Sequence, residues 1–187
     1  MGGKECHSLP AVSIVWNRTV YCFLVDAMTQ GQKQMESISR LLKTENVLSL
    51  ATSGEDGQAS VAPLFYVVDE DLSFYWFSSE SCVHSRNLKR RPRAAGTVYR
   101  STAQWREIRS VQISGVASRE TDPERRAQRL EQYCERFKIG RILRLAVQRS
   151  VLYRYQPDFF RLIDNAKGFG HKVEMHRQPQ GWTLARR

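Results

Sequence analysis

The apolar runs that read as strands in this chain follow one another through links too short for a crossover, and that feature constrains the fold most. NVLSLAT places a strand over 47–52, SGEDGQ (53–58) is a turn rich in Gly and Asp, and SVAPLFYVV (60–68) is a second strand. The acidic turn DED (69–71) leads into LSFYWF (72–77), a strand by its aromatic content. Parallel neighbours need a crossover of a dozen or more residues, so these runs pair antiparallel. AAGTVY (94–99), IRSVQISGVASRE (108–120), and SVLYRY (150–155) and FFRLID (159–164) around the turn QPD bring the series to six or so strands. The expected fold is mainly β: a small antiparallel barrel with flanking helices, not a βαβ sheet.

In the strand over 60–68 both alternating faces are apolar, with Val61, Phe65 and Val67 on one and Ala62, Leu64, Tyr66 and Val68 on the other. A strand of that kind is expected to be covered on both sides. In 108–120, Val111 and Ile113 alternate with Gln112 and Ser114, which turns the polar pair away from the core. Met35, Ile38, Leu41 and Leu42 recur at helical spacing within 32–44. Val83 to Arg91 forms a short helix ended by Pro92. Over 121–137, Thr121 or Asp122 is the N-cap, Pro123 sits in the first turn, and Ala127, Leu130, Cys134 and Phe137 make the apolar face.

At 187 residues the chain is read as one domain over 28–176, with an extension over 1–27 and a C-terminal tail over 177–187. The start is apolar, but Asn17 and Arg18 split it into runs of about six residues, where a spanning helix needs about 20 and a signal core about 7 to 15. Residues 1–27 are net neutral, and their deletion is expected to leave a folded protein. The net charge of +10 therefore lies downstream and favours anionic ligands without choosing among them. Cys6, Cys22, Cys82 and Cys134 show no C-x-x-C pair and no histidines at ligand spacing, so free thiols in a reducing cytoplasm are expected, and no metal site. HKVEMH (171–176) sets its two histidines five apart, on opposite faces of a strand.

No G-x-S-x-G, H-E-x-x-H or G-x-x-x-x-G-K-[ST] motif is present, which removes the usual support for hydrolase, zinc protease and P-loop chemistry. FSSESCVHSRNLKRRP (77–92) is different. Ser78, Ser79, Ser81 and Ser85 offer hydroxyls, His84 and Arg86 charge-assisted donors, and a helix starting near Val83 adds free backbone N–H groups. That set suits a terminal phosphate. The alternative is that the serines cap the helix while Arg86, Lys89, Arg90, Arg91 and Arg93 form a solvated face.

The order of a strand, FSS, a short helix containing His84, NL-x-x-x-P, AAGTVY and then W-x-x-I-R-x-V-Q-I-x-G resembles the FMN-binding split barrels related to pyridoxamine 5'-phosphate oxidase. His84, AGTVY, VQISG and RLIDNAKGFGHKVE bring it nearest to the YhbP-like subgroup, and the likeness spans roughly residues 35–176. The resemblance implies a homodimer with FMN at its interface. It implies that Ala62, Pro63 and Leu64 pass the isoalloxazine ring and that Phe77, Ser78 and Ser79 line the flavin and its phosphate tail; Ser85, from the donor cluster, and Arg86, as compensation for His84, are placed with them. His84 falls where the oxidases carry a phosphate-binding lysine, and Arg109 matches the arginine that opens the next strand. Ser110 replaces an expected glutamine, for which Gln112, on the same face, substitutes. Trp182 and Arg186 keep a W-x-x-x-R spacing without the Leu-Pro that follows it in the oxidases, and Trp182 reads as a mobile C-terminal aromatic.

The functional expectation is an FMN-dependent oxidoreductase, soluble and cytoplasmic, acting on a small-molecule substrate, with no side chain nameable as catalytic. One alternative is a haem-binding barrel with His84, His171 or His176 as axial ligand. The other is a nucleic-acid-binding module built on RNLKRRPR (86–93), which lacks the interleaved aromatics that single-strand binding needs.

Overall fold

Helix α1 (Arg18–Thr44) turns its apolar stripe inward, with Ile38 and Leu42 fully buried and Met35 and Leu41 packed beside them. The structure is a computed structural model that describes the backbone of residues 18–185 and the side chains of residues 30–185. The expected extension over 1–27 lies largely outside the described residues; from Arg18 the backbone is helical and continuous with the predicted helix.

Strands β1 (Val47–Ser53), β2 (Ala59–Phe65), β3 (Val67–Val68), β4 (Phe74–Ser78), β5 (Arg93–Tyr99), β6 (Arg109–Arg119), β7 (Val151–Asp164), β8 (Lys172–Gln178) and β9 (Gly181–Leu184) form one sheet. Its order is β2-β1-β5-β6-β7-β4-β3, with β8 on β7 and β9 on β8, and every pairing is antiparallel. The expected antiparallel, mainly β architecture is therefore present, with nine strands and not six. Alternation sends Leu48, Leu50, Val98, Val111, Ile113, Phe160 and Leu162 into the curled interior, where α1 and Leu88 complete the core.

Four expectations are corrected. The strand read over 60–68 breaks at Tyr66, and within one chain the outer side of β2 stays largely open: Val61 is 66% and Phe65 54% exposed. The two strands read around QPD are one, because Pro157 sits opposite Gly115 at a bulge where the ladder asks no N–H of it. Trp182 is packed against the core rather than standing free in a tail. Its ring lies tilted against Phe160 at 4.5 Å between ring centroids, positioned by the β8–β9 hairpin.

The fourth correction concerns α3 (Pro123–Arg136), whose cap is as predicted: Asp122 accepts from the N–H groups of Glu124 (2.9 Å) and Arg125 (3.2 Å). Its buried face is Leu130, Tyr133 and Cys134, while Ala127 is exposed. With Val147 of α4 (Arg141–Arg149), this face forms a second core against Val67, Tyr75 and Leu152, on the outside of the sheet. Helices thus cover the outer face over β3, β4 and the start of β7. Over β2, β1, β5 and β6 that face stays open, and Val47, Val61, Phe65, Tyr99 and Val116 are exposed on it.

Candidate functional site

The FSSESCVHSRNLKRRP stretch folds into a corner. β4 ends at Ser78, the chain turns through Ser79–Cys82, and α2 occupies Val83–Arg90, within one residue of the predicted helix. Leu88 anchors α2 in the core, and Asn87 donates from its amide to Thr52 Oγ1 at 3.1 Å, fixing the helix on β1. Ser78 Oγ lies 2.8 Å from His84 Nε2, and Ser79 Oγ lies 2.8 Å from Ser81 Oγ. Arg86 donates to the Ser81 carbonyl. No side chain caps α2, so its first-turn N–H groups face the same turn as the hydroxyls.

His84 is buried, and that burial holds its imidazole below the ordinary histidine pKa. A neutral ring bonded to Ser78 is a poor direct partner for a phosphate. Its place is to orient the Ser78 hydroxyl. Ser85 is buried too, and its hydroxyl has no partner among the described residues. An unpaired buried donor beside exposed Ser79, Ser81 and Arg86 fits an anion that brings acceptors. The donor set therefore suits the phosphate of FMN.

The remaining predicted residues lie on other strands. Pro63, Ser49, Thr97, Gln112, Arg161 and Glu174 are consecutive cross-strand partners, a single row across β2, β1, β5, β6, β7 and β8. Pro63 and Gln112 therefore share the open outer face, three strand spacings or about 14 Å apart. Ala62 and Leu64 alternate to the other side, half-buried. Gln112 accepts from Arg161 at 3.1 Å, and Arg161 is held in turn by Glu174 at 2.8 Å. With its oxygen engaged, the Gln112 amide leaves its two N–H groups for a ligand. Thr97 and Arg161 joined this row through register alone, which no local motif announces.

Arg109 is not on that face. Three residues from Gln112, it turns to the barrel's far end and pairs with buried Asp164 at 3.1 Å. Along β7, Leu152 opposite Phe77 and Arg161 opposite Gln112 are separated by about 30 Å of strand at roughly 3.3 Å per residue. Along β7 the phosphate corner and Gln112 of one chain are thus far apart, while across the curled sheet α2 meets β1 at Thr52, three residues from Ser49 of the row.

The three histidines offered as axial ligands do not converge: His84 is in the corner, His171 precedes β8, and exposed His176 rests beside Phe159 at 5.0 Å. Among the described residues no group of three or more His, Cys, Asp or Glu side chains could hold a metal ion. In RNLKRRPR, Arg90 pairs with Glu55 and Arg93 with Asp158, while Arg91 donates to the Glu55 carbonyl, so most of that run is already engaged. A cleft of about 1480 Å³ lies elsewhere, between α1 and the β8–β9 hairpin, where Lys43 pairs with Glu70 and Arg177 approaches Asp71. No helix among the described residues is long and apolar enough to cross a membrane.

The family described as pyridoxamine 5'-phosphate oxidase matches residues 35–153. A UPF0306 protein of Klebsiella pneumoniae is 32% identical over 144 residues, covering 76% of this chain and 93% of its own length. YhbP of Escherichia coli O157:H7, also a UPF0306 protein, is 29% identical, covering 74% and 90%. Among solved structures, ChuZ of Campylobacter jejuni superposes with a TM-score of 0.69 at 16% identity, covering 82% of this chain, which spans 63% of that protein. HutZ, the heme storage protein of Vibrio cholerae, superposes with a TM-score of 0.56 at 23% identity, covering 65% and 88%. These two likenesses concern the fold. By its matched residues and by its UPF0306 relatives, the chain belongs to the pyridoxamine 5'-phosphate oxidase-like split-barrel family, in the YhbP-like subgroup.

Proposed function

We propose that this protein binds FMN between two copies of the chain and serves as a flavin-dependent oxidoreductase. The observation that carries the reading is the β4–α2 corner, where Ser79, Ser81, Arg86 and the start of α2 face one turn and Ser78 is held by neutral His84. Bound FMN would supply hydride or electron transfer. The chain's own part is to hold and orient. Ser79, Ser81 and Arg86 bind the phosphate, His84 fixes the Ser78 hydroxyl, and Gln112 directs its amide N–H groups at the ring edge. No side chain is assigned a proton transfer.

A second copy supports this reading in two ways. It would bring a second corner towards Gln112, which lies about 30 Å along β7 from the chain's own Ser78. It also covers Val47, Val61 and Phe65, an apolar set of the kind that marks an interface. The name of HutZ supports a haem reading on the same fold, for which one axial histidine such as exposed His176 would suffice.

An absorbance spectrum of the purified protein, an FMN titration and a light-scattering mass decide the matter. Flavin bands or saturable uptake of about one FMN per chain, with a dimer mass, is the expected result. A Soret band, or indifference to FMN, would replace the reading with haem or with another ligand.

A further inference from the structure

At the far end of the barrel two loops meet. The β5–β6 loop contains the single-turn 3-10 helix Trp105–Glu107, and the β7–β8 loop contains the matching turn Asn165–Lys167. Asn165 stitches them together: its amide donates to the Trp105 carbonyl at 2.9 Å, its N–H to the Ile108 carbonyl at 3.1 Å, and its side-chain oxygen accepts from the Gly170 N–H at 3.1 Å. Phe169 stands between Gly168 (φ 136°) and Gly170 (φ 68°), conformations that other residues rarely adopt. A loop tied this closely would be expected to bury its one large apolar side chain. Phe169 is instead 87% exposed, meeting the edge of half-exposed Trp105 at 6.0 Å.

Charge completes the pattern. The Arg106 guanidinium lies over the Trp105 ring at 5.2 Å. Residues 100–108 and 165–172 hold Arg100, Arg106, Lys167 and Lys172 against a single acid, Glu107, which accepts from Thr102 at 3.0 Å. None of the four cations is in an ion pair among the described residues.

We infer that this end is a binding site for a nucleotide: a planar base stacks on Phe169 against Trp105, and its phosphates meet Arg106 and Lys167. The aromatic faces explain why the loop is rigid yet leaves a ring in water, and the unpaired cations select a base that carries phosphate. The site stands apart from the β4–α2 corner and does not rest on FMN binding there.

The test is fluorescence anisotropy of a mant-labelled ADP with the full chain, with and without saturating FMN. Saturable binding is expected, displaced by unlabelled ADP and not by adenosine, and weakened about tenfold by Phe169→Ala and again by Arg106→Ala. Phe169 is solvated, so its removal leaves the fold intact. Absence of saturable binding, or affinity unchanged in both variants, overturns the proposal. So does displacement by FMN, which would make the platform part of a flavin site, or displacement by a short single-stranded oligonucleotide at far lower concentration than ADP, which would make it a nucleic-acid surface. Failure of the protein to bind FMN at all leaves these outcomes readable.

Discussion

At the start of β7, Leu152 lies beside Phe77 and Val151 beside Ser78, and the polar groups of the corner close on one another: serine on histidine, serine on serine. At its end, Asp164 holds Arg109, and beyond it Trp105 and Phe169 remain in solvent. One strand thus supports a corner that is satisfied in shape but unfilled in charge, and a platform that is rigid but uncovered. The difference shows how the fold separates tasks: hydroxyls and a helix start suit a phosphate, while open rings suit a base. Between the two ends sits the bulge at Gly115, which lets β7 run past Pro157 without a break.

That bulge is where the comparison breaks most easily. A Cβ on Gly115 would lie 2.3 Å from the Gln156 carbonyl oxygen and 2.9 Å from Pro157 Cα, atoms of the backbone with nowhere to move. Gly115→Ala is expected to destabilise the protein by about 3 kcal/mol in urea unfolding, with ligand binding lost at both ends together. Gly57→Ala, in the open β1–β2 turn, is a control: nothing lies within 4 Å of its Cβ, and only its φ of 84° opposes it, for about 1 kcal/mol.

The next effect falls on the corner alone. Ser79 and Arg86 are exposed, so Ser79→Ala with Arg86→Ala should leave unfolding unchanged. FMN affinity should fall about a hundredfold by isothermal titration, each lost bond to a charged group weakening binding about tenfold. Equal affinity in the double variant would remove the phosphate from this corner.

Much of this was legible beforehand where local chemistry decides. The α2 boundaries follow from Pro92 and the serine-rich entry, the α3 start from Asp122 and Pro123, and the Val111–Ile113 alternation from a strand with one buried face. The strand over 60–68 misled because Val61 is apolar on an open surface and Phe65 is covered only in part, by Phe137 at 4.8 Å. Pro157 misled because a proline reads as a stop unless its own strand bulges beside it, as β7 does at unpaired Asp158. Helix α4 has no counterpart in the expectations: of its apolar residues only Val147 enters a core, while Ile142, Leu143 and Leu145 stay exposed. The row from Pro63 to Glu174 depends on the register of six strands, and the platform depends on Asn165; neither is local in the sequence.

The smallest effect separates His84 as an orienting group from His84 as a charged ligand. Burial lowers its pKa in the folded protein, so below about pH 6.5 the unfolded chain takes up a proton that the native ring resists. The unfolded state then binds more protons, and stability, full above that pH, falls as the pH drops towards the native pKa. His84→Asn removes this proton while keeping a side chain able to bond to Ser78. Urea unfolding between pH 7.5 and 5 should therefore show a shallower loss of stability in the variant than in the parent. A steeper loss in the variant would mean that the native imidazole is charged and held by an anion, which returns His84 to the phosphate itself.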